Sequence, residues 1–225
     1  MQPPREPDIE GRSLEGGRLA HVTVPAHAGQ SMDASRRYVA NARRLLVGQA
    51  DAQRCGWVVD LRPNGGGNMW PMLAALAPLL GSDTLGAFVS HGSATRWTSA
   101  GAQDDGGAMR EYAVGAPGAT LDLRAFPVAV LTGPRTASSG EAVTLAFRGR
   151  PFTRSFGAPT AGVSTANAPF PLPGGGLLNL TTARMADRTG RIFGDAIEPD
   201  EAVPDDAALD AATRWLLAQS RCGAL

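Results

Sequence analysis

Thr136-Ala137-Ser138-Ser139-Gly140-Glu141 follows the apolar run Pro127-Val128-Ala129-Val130-Leu131-Thr132, with only Gly133-Pro134-Arg135 between them. That order reads as a buried strand, a tight loop and a helix starting at Ser138. Such a corner sets a hydroxyl beside the unbonded N–H groups of a helix N-terminus, where developing negative charge is stabilised. Serine is also a favoured N-cap, and Glu141, three residues on, fits a capping box. One reading makes Ser138 a nucleophile; the other makes it a helix start.

The same order occurs upstream. Gly56-Trp57-Val58-Val59-Asp60-Leu61 reads as a continuous apolar strand, Arg62-Pro63-Asn64-Gly65-Gly66-Gly67-Asn68 as a loop, and residues 69–80 as a helix. Two strand–loop–helix units point to an α/β layered core. Residues 18–24 alternate as a strand, and residues 31–52 carry Val39, Ala42, Leu45 and Leu46 at helical spacing. Residues 152–156, 168–172 and 177–183 read as strands, with Pro173-Gly174-Gly175-Gly176 as a hairpin turn. Residues 207–219 close the chain as an amphipathic helix. Residues 1–17 read as a flexible lead-in, and residues 85–125 as an irregular excursion over the site.

The chain has 225 residues, 43% of them hydrophobic, and a formal net charge of zero. This is the size of one large domain. The balanced charge argues against a nucleic-acid partner. No apolar run approaches the ~18 residues of a membrane span. The first residues have neither the charged start nor the apolar centre of a signal peptide, so the compartment is open between cytoplasm, periplasm and exterior. Cys55 and Cys222 stand in unrelated contexts and read as buried or idle thiols. All 21 basic residues are arginine. No lysine base can come from this chain.

Three successive glycines between a strand and a helix bend the backbone tightly and expose N–H groups, a nest suited to a phosphate or an oxyanion. The loop has no Lys-Ser/Thr ending and no Gly-x-Gly-x-x-Gly order, so it matches neither nucleotide fingerprint. Alone it could be a tight turn. Paired with a serine at the equivalent corner of a second unit, it reads as the donor side of an acyl-transfer site.

These segments resemble the catalytic domain of the S41 serine peptidases, which include the tail-specific (C-terminal processing) proteases and the tricorn core protease. Asp60-Leu61-Arg62-Pro63-Asn64-Gly65-Gly66-Gly67 is similar to that family's Asp-Leu-Arg-x-Asn-x-Gly-Gly. Thr136-Ala137-Ser138-Ser139-Gly140-Glu141 resembles its Thr-Ala-Ser-Ala-x-Glu, and Gly157-Ala158-Pro159-Thr160-Ala161-Gly162 its Gly-x-x-Thr-x-Gly. Residues 172–182 resemble the strand pair that follows, and Ile197-Glu198-Pro199-Asp200 the closing x-x-Pro-Asp. The resemblance implies a ClpP/crotonase-like α/β spiral of ββα units over residues 18–225. It implies Ser138 as nucleophile on a polypeptide, with oxyanion donors from the backbone of Ser139 and of Gly66 or Gly67. It implies no cofactor and no metal, and leaves a homo-oligomer open.

The pattern breaks at the base. In the tail-specific branch a lysine follows Thr-x-Gly; here Val163 stands there. That departure fits the tricorn-like branch, which uses a Ser-His-Ser-Glu tetrad, yet no histidine precedes the first strand. His21 lies in that strand, where a structural role is expected, and His27 in a solvated loop. His91 lies in the excursion and is a candidate base if that loop folds back. Asp195 is the acid nearest the tetrad's glutamate, and Ser164 and Thr165 are candidate substrate-binding hydroxyls. No peptide-binding PDZ insertion is evident. The base is therefore expected from a missing upstream segment or from another chain; otherwise the chain is a non-catalytic module binding apolar or peptide ligands. A crotonase-like acyl-CoA enzyme is a weaker third reading, with no nucleotide pocket in the sequence to support it.

Overall fold

A computed structural model of the chain describes residues 7–29, 31–111 and 121–223. In chain order, β1 (Glu10–Leu14), β2 (Leu19–Thr23), α1 (Met32–Gln49) and β3 (Gly56–Asp60) lead into α2 (Met69–Ala75) and α3 (Ala77–Leu80). Next come β4 (Gly86–Ser90), β5 (Ser93–Trp97), β6 (Gly101–Gln103) and β7 (Met109–Glu111). Then follow β8 (Val128–Thr132), α4 (Ser139–Phe147), β9 (Thr153–Gly157), β10 (Thr165–Pro171) and β11 (Leu177–Asp187). The chain finishes with β12 (Glu201–Ala202), α5 (Asp205–Leu217) and α6 (Ser220–Gly223).

Two six-stranded sheets result, one ordered β1-β2-β3-β8-β9-β12 and the other β10-β11-β4-β5-β6-β7. In the first, every neighbouring pair from β2 to β12 is parallel, and β1 is an antiparallel edge. Parallel strands covered on both faces carry apolar side chains at every position, which explains the unbroken run in β3. Trp57 and Val59 face the side covered by α1, α2 and α4. Val58 faces the other side with Ala129, Leu131 and Phe156, against Ala208, Ala212 and Leu216 of α5. The parallel strands β3 and β8 pair Val58 with Ala129 and Asp60 with Leu131, so their loops leave the same sheet edge side by side.

The helices lie close to their expected places. Ser31 caps α1 by accepting the Ala34 N–H at 3.1 Å. The run over residues 69–80 breaks at Leu76 into two short helices. Elsewhere the structure departs from the sequence reading. Within the supposed lead-in, Glu10–Leu14 is a strand paired with β2, because the turn through Glu15, Gly16 and Gly17 folds it back. Within the supposed excursion lie four of the six strands of the second sheet; residues 112–120 of that segment lie outside the described residues, as do residues 1–6.

The cysteines are not idle thiols. Cys55 and Cys222 form a disulfide with Cα atoms 5.0 Å apart. The packing of α5 across β3 brings the last turn of the chain back to the start of that strand, a proximity invisible in a 167-residue separation. Among the described residues, no helix is long and apolar enough to cross a membrane.

Candidate active site

The site grows from the loops that follow β3 and β8. At the end of β3, Asp60 is buried and takes two hydrogen bonds from the Arg62 guanidinium, Nε at 2.9 Å and a terminal nitrogen at 2.6 Å. His21 Nε2 lies 3.2 Å from the same carboxylate. Burial pushes the Asp60 carboxyl upward, but the Arg62 and His21 hydrogen bonds and the Arg62 charge outweigh it and hold the group far below the usual carboxylate range. Arg62 also reaches Asp205 at the start of α5. The base of the glycine loop is thereby fixed to the sheet and to α5.

Further along, Asn64 is fully buried. Its Oδ1 accepts the Gly66 N–H at 3.0 Å and its backbone carbonyl accepts the Ala137 N–H at 3.0 Å. One residue thus shapes the glycine loop and ties it to the serine loop. Gly66 and Gly67 have φ of 104° and 111°, a region that favours glycine. Contact reinforces the choice. A Cβ on Gly67 would lie 2.2 Å from the His27 carbonyl oxygen, and one on Gly66 3.0 Å from the Ser138 Cβ. Among the described residues the N–H groups of Gly67 and Ser139 take no hydrogen bond, whereas that of Gly66 is spent on Asn64.

Ser138 sits at the corner with φ 52° and ψ −114°. A non-glycine residue held there stores about 1–3 kcal/mol and persists only where its surroundings over-determine it. They do. Thr136 donates to the Leu61 carbonyl at 2.8 Å and accepts the Gly133 N–H, locking the approach to the corner. Ser139 Oγ donates to the Gly67 carbonyl at 2.6 Å. Gly140 has no room for a side chain, since a Cβ there would lie 2.4 Å from the Asn64 carbonyl oxygen. Ser138 itself is partly exposed while its neighbours Ser139 and Gly140 are buried.

Glu141 is the residue whose role exceeds its sequence reading. It caps α4, as its spacing from Ser138 indicates, and it is also a fully buried carboxylate serving three segments. Oε2 accepts the Ser138 N–H at 2.7 Å and the Val163 N–H at 3.0 Å. Oε1 accepts the Thr160 hydroxyl at 2.6 Å and the Gly162 N–H at 3.0 Å. Thr160 in turn accepts the Ile197 N–H at 2.9 Å. The Gly-x-x-Thr-x-Gly segment was legible in the sequence; its attachment to Glu141 had no signal there beyond the cap.

The other predicted site residues divide. Ser164 is buried and donates to the Asp195 backbone carbonyl at 2.8 Å, so these two are brought together, with the Asp195 side chain exposed. Thr165 opens β10 next to them. His21 is structural, as expected of a histidine inside a strand. His27 is not solvated: it is buried, its Nε2 lies 3.2 Å from Ser35 Oγ, and its ring packs 4.4 Å from that of Tyr38. The helix α1 covers it, while its backbone bonds Gly66 and Asn68 of the glycine loop. His91 is exposed at the β4–β5 turn with Nδ1 3.2 Å from Ser90 Oγ. Among the described residues no histidine hydrogen-bonds Ser138.

From this cluster β10 and β11 run outward as an antiparallel ribbon. Residues 163–183 contain no charged residue. The Leu172 N–H bonds the Gly176 carbonyl, so the backbone groups of Ala168 and Phe170 also face β11, while Pro169 and Pro171 turn toward the free edge. Proline has no N–H to offer there, which blunts the edge against a further strand. One face of the ribbon presents Phe170, Leu172, Leu178 and Leu180, each 44–46% exposed.

Comparison with known proteins places this geometry. The model of peptidase family S41 matches residues 18–203. The nisin-resistance protein of Lactococcus lactis subsp. lactis is 33% identical over 227 residues, covering 95% of this chain and 68% of its own length. A lipoprotein from Streptococcus agalactiae superposes with a TM-score of 0.78 at 29% identity, over 94% of this chain and 70% of its own. The photosystem II D1 C-terminal processing protease superposes with a TM-score of 0.58 at 19% identity, over 96% and 54%.

Proposed function

Since the chain belongs to peptidase family S41, whose ClpP/crotonase-like α/β fold it shares, we propose that Ser138 is the nucleophile of a serine-type peptidase. The observation that carries this reading is the strained Ser138 corner pressed against the Gly66-Gly67 loop with no side chain between them. Ser138 Oγ attacks the scissile carbonyl, its proton passes to a base, and the carbonyl oxygen becomes an oxyanion. The N–H groups of Ser139 and Gly67 receive that charge. Gly66, whose N–H is held by Asn64, shapes the loop rather than donating. An acyl-enzyme forms as the amine leaves, and water hydrolyses it.

The base comes from outside the residues described, from an additional segment or a second chain. Three observations support this: the chain holds no lysine, His27 is buried under α1, and His91 is exposed at the β4–β5 turn, bonded to Ser90. Asp195, tied through its backbone to Ser164, is the acid assigned to orient such a base or the substrate.

The substrate class is an apolar, weakly charged peptide. The uncharged ribbon of residues 163–183 starts at Val163, whose N–H shares Glu141 with Ser138, so a chain lying on its apolar face runs toward the nucleophile. The Cys55–Cys222 disulfide supports maturation in an oxidising compartment.

A fluorophosphonate probe tests the assignment. Labelling that disappears in Ser138→Ala supports it. A folded protein that stays unlabelled with every candidate base supplied favours instead a binding module that uses the same apolar ribbon without cleavage.

A further inference from the structure

A buried carboxylate needs a reason, because removing its charge from water is costly unless every lone pair is met. Glu141 is fully buried, and what meets it is a set of donors alone: three backbone N–H groups, of Ser138, Gly162 and Val163, and the Thr160 hydroxyl. No acceptor faces either oxygen among these contacts, so the arrangement is that of a carboxylate. It stands in the first turn of α4, where the helix dipole also favours a negative charge.

Two consequences for Ser138 follow. Its N–H is taken, which leaves the next N–H, that of Ser139, unbonded beside Gly66. Its backbone, at φ 52°, is held by that hydrogen bond as well as by contact with the glycine loop. The same carboxylate fixes Gly162 and Val163, and through Thr160 it reaches Ile197. Three chain segments that meet around Ser138 therefore share one anion.

We propose that Glu141 is a positioning residue for the Ser138 reaction: its carboxylate sets the corner conformation of Ser138 and its register against the 160–163 loop, and so directs the Ser139 N–H to the oxyanion. This rests on Ser138 being the nucleophile. Glutamine at this position keeps the size but turns one acceptor into an N–H₂ group, which must face a backbone N–H on whichever oxygen site it takes. Displacing a reacting group by about 1 Å costs on the order of 10²-fold in rate.

The experiment is fluorophosphonate inactivation of the wild type, Glu141→Gln and Thr160→Val, resolved into the limiting inactivation rate and the probe's binding constant. A positioning role lowers the limiting rate about 10²-fold in Glu141→Gln, leaves the binding constant nearly unchanged, and gives a smaller drop in Thr160→Val. Loss of folded protein alone would lower the labelled fraction, not the rate at which the folded fraction reacts. An unchanged limiting rate in folded Glu141→Gln overturns the proposal. Should Glu141→Gln fail to fold, an unchanged rate in Thr160→Val overturns it instead. If the wild type stays unlabelled with every candidate base supplied, the peptidase reading fails separately, and the crystal structure of the Gln variant decides. Ser138 leaving positive φ, or Gly162 and Val163 moving, supports the positioning role; an unaltered corner removes it.

Discussion

A Cβ on Gly66 would lie 3.0 Å from the Cβ of Ser138 and 3.3 Å from the Ser139 backbone nitrogen. The two loops that follow β3 and β8 thus touch backbone to backbone, and any side chain between them separates the serine from its candidate donors. Gly66→Ala is expected to abolish fluorophosphonate labelling while costing more than about 1 kcal/mol, since φ at 104° disfavours an L-residue. Gly67→Ala, aimed at the His27 carbonyl at 2.2 Å, is expected to destabilise the fold further. Gly65→Ala is the control: its Cβ meets only the Arg135 carbonyl at 4.0 Å, and its φ is not positive. Equal labelling across all three variants would remove the contact from the mechanism.

The disulfide makes a second prediction. Cys55 and Cys222 close a loop with a sequence separation of 167 residues, and both lie in the packing between α5 and the first sheet. Loop-closure entropy for a span of that order contributes up to about 5 kcal/mol, commonly 2–4. The double variant Cys55→Ser with Cys222→Ser, or reduction of the wild type, is expected to lower the denaturant midpoint accordingly. Two titratable thiols in unreduced, denatured wild type would contradict the bridge.

What the sequence made legible follows a physical division. Short-range patterns read well. The apolar runs of β3 and β8, the amphipathic α1 and the two loop motifs all depend on neighbours within a dozen residues. Long-range closure did not. The strand Glu10–Leu14 has a mostly exposed, charged pattern that only its pairing with β2 explains. The β4–β7 segment looked irregular because its short strands draw their order from β11, nearly a hundred residues on. His27 looked solvated because α1, which covers it, is placed by the core and not by local pattern. Ser138 was found by its corner, while the Glu141 contacts to Thr160, Gly162 and Val163 depend on the meeting of separate loops.

Asp60 gives a pH dependence whose sign is fixed. Its folded carboxyl titrates far below an ordinary aspartate near 4, held there against burial by the Arg62 and His21 hydrogen bonds. A group depressed in the folded state stabilises fully above its unfolded value, and that stabilisation drains away as pH falls toward the lower folded value. The wild type is expected to lose stability below about pH 4 more steeply than Asp60→Asn, which lacks the titrating group. Chemical denaturation from pH 6 downward (to about 2) reads the two slopes. Parallel curves would mean that the Asp60–Arg62 pair carries no net coupling to folding.

The apolar ribbon gives the prediction closest to the proposed substrate. Phe170 pairs with Leu178 across β10 and β11, and Leu172 and Leu180 continue the same face, all nearly half exposed. Side chains left nearly half exposed bury less apolar area than core residues, so the double variant Phe170→Ser with Leu178→Ser is expected to lower the melting temperature only slightly. A substrate lying on this face loses roughly 1–3 kcal/mol of contact for each large side chain removed. For an active preparation, KM for an uncharged apolar peptide is then expected to rise at least tenfold, roughly 1.4 kcal/mol, while kcat, set at Ser138, changes little. An acidic or basic peptide of equal length is the comparison, because a ribbon without charge offers neither any pairing. If the double variant cleaves the apolar peptide with unchanged KM, the ribbon is not the substrate platform, and its exposed face serves another partner. A change in kcat alone would locate the effect at the base of the ribbon, where Val163 meets Glu141.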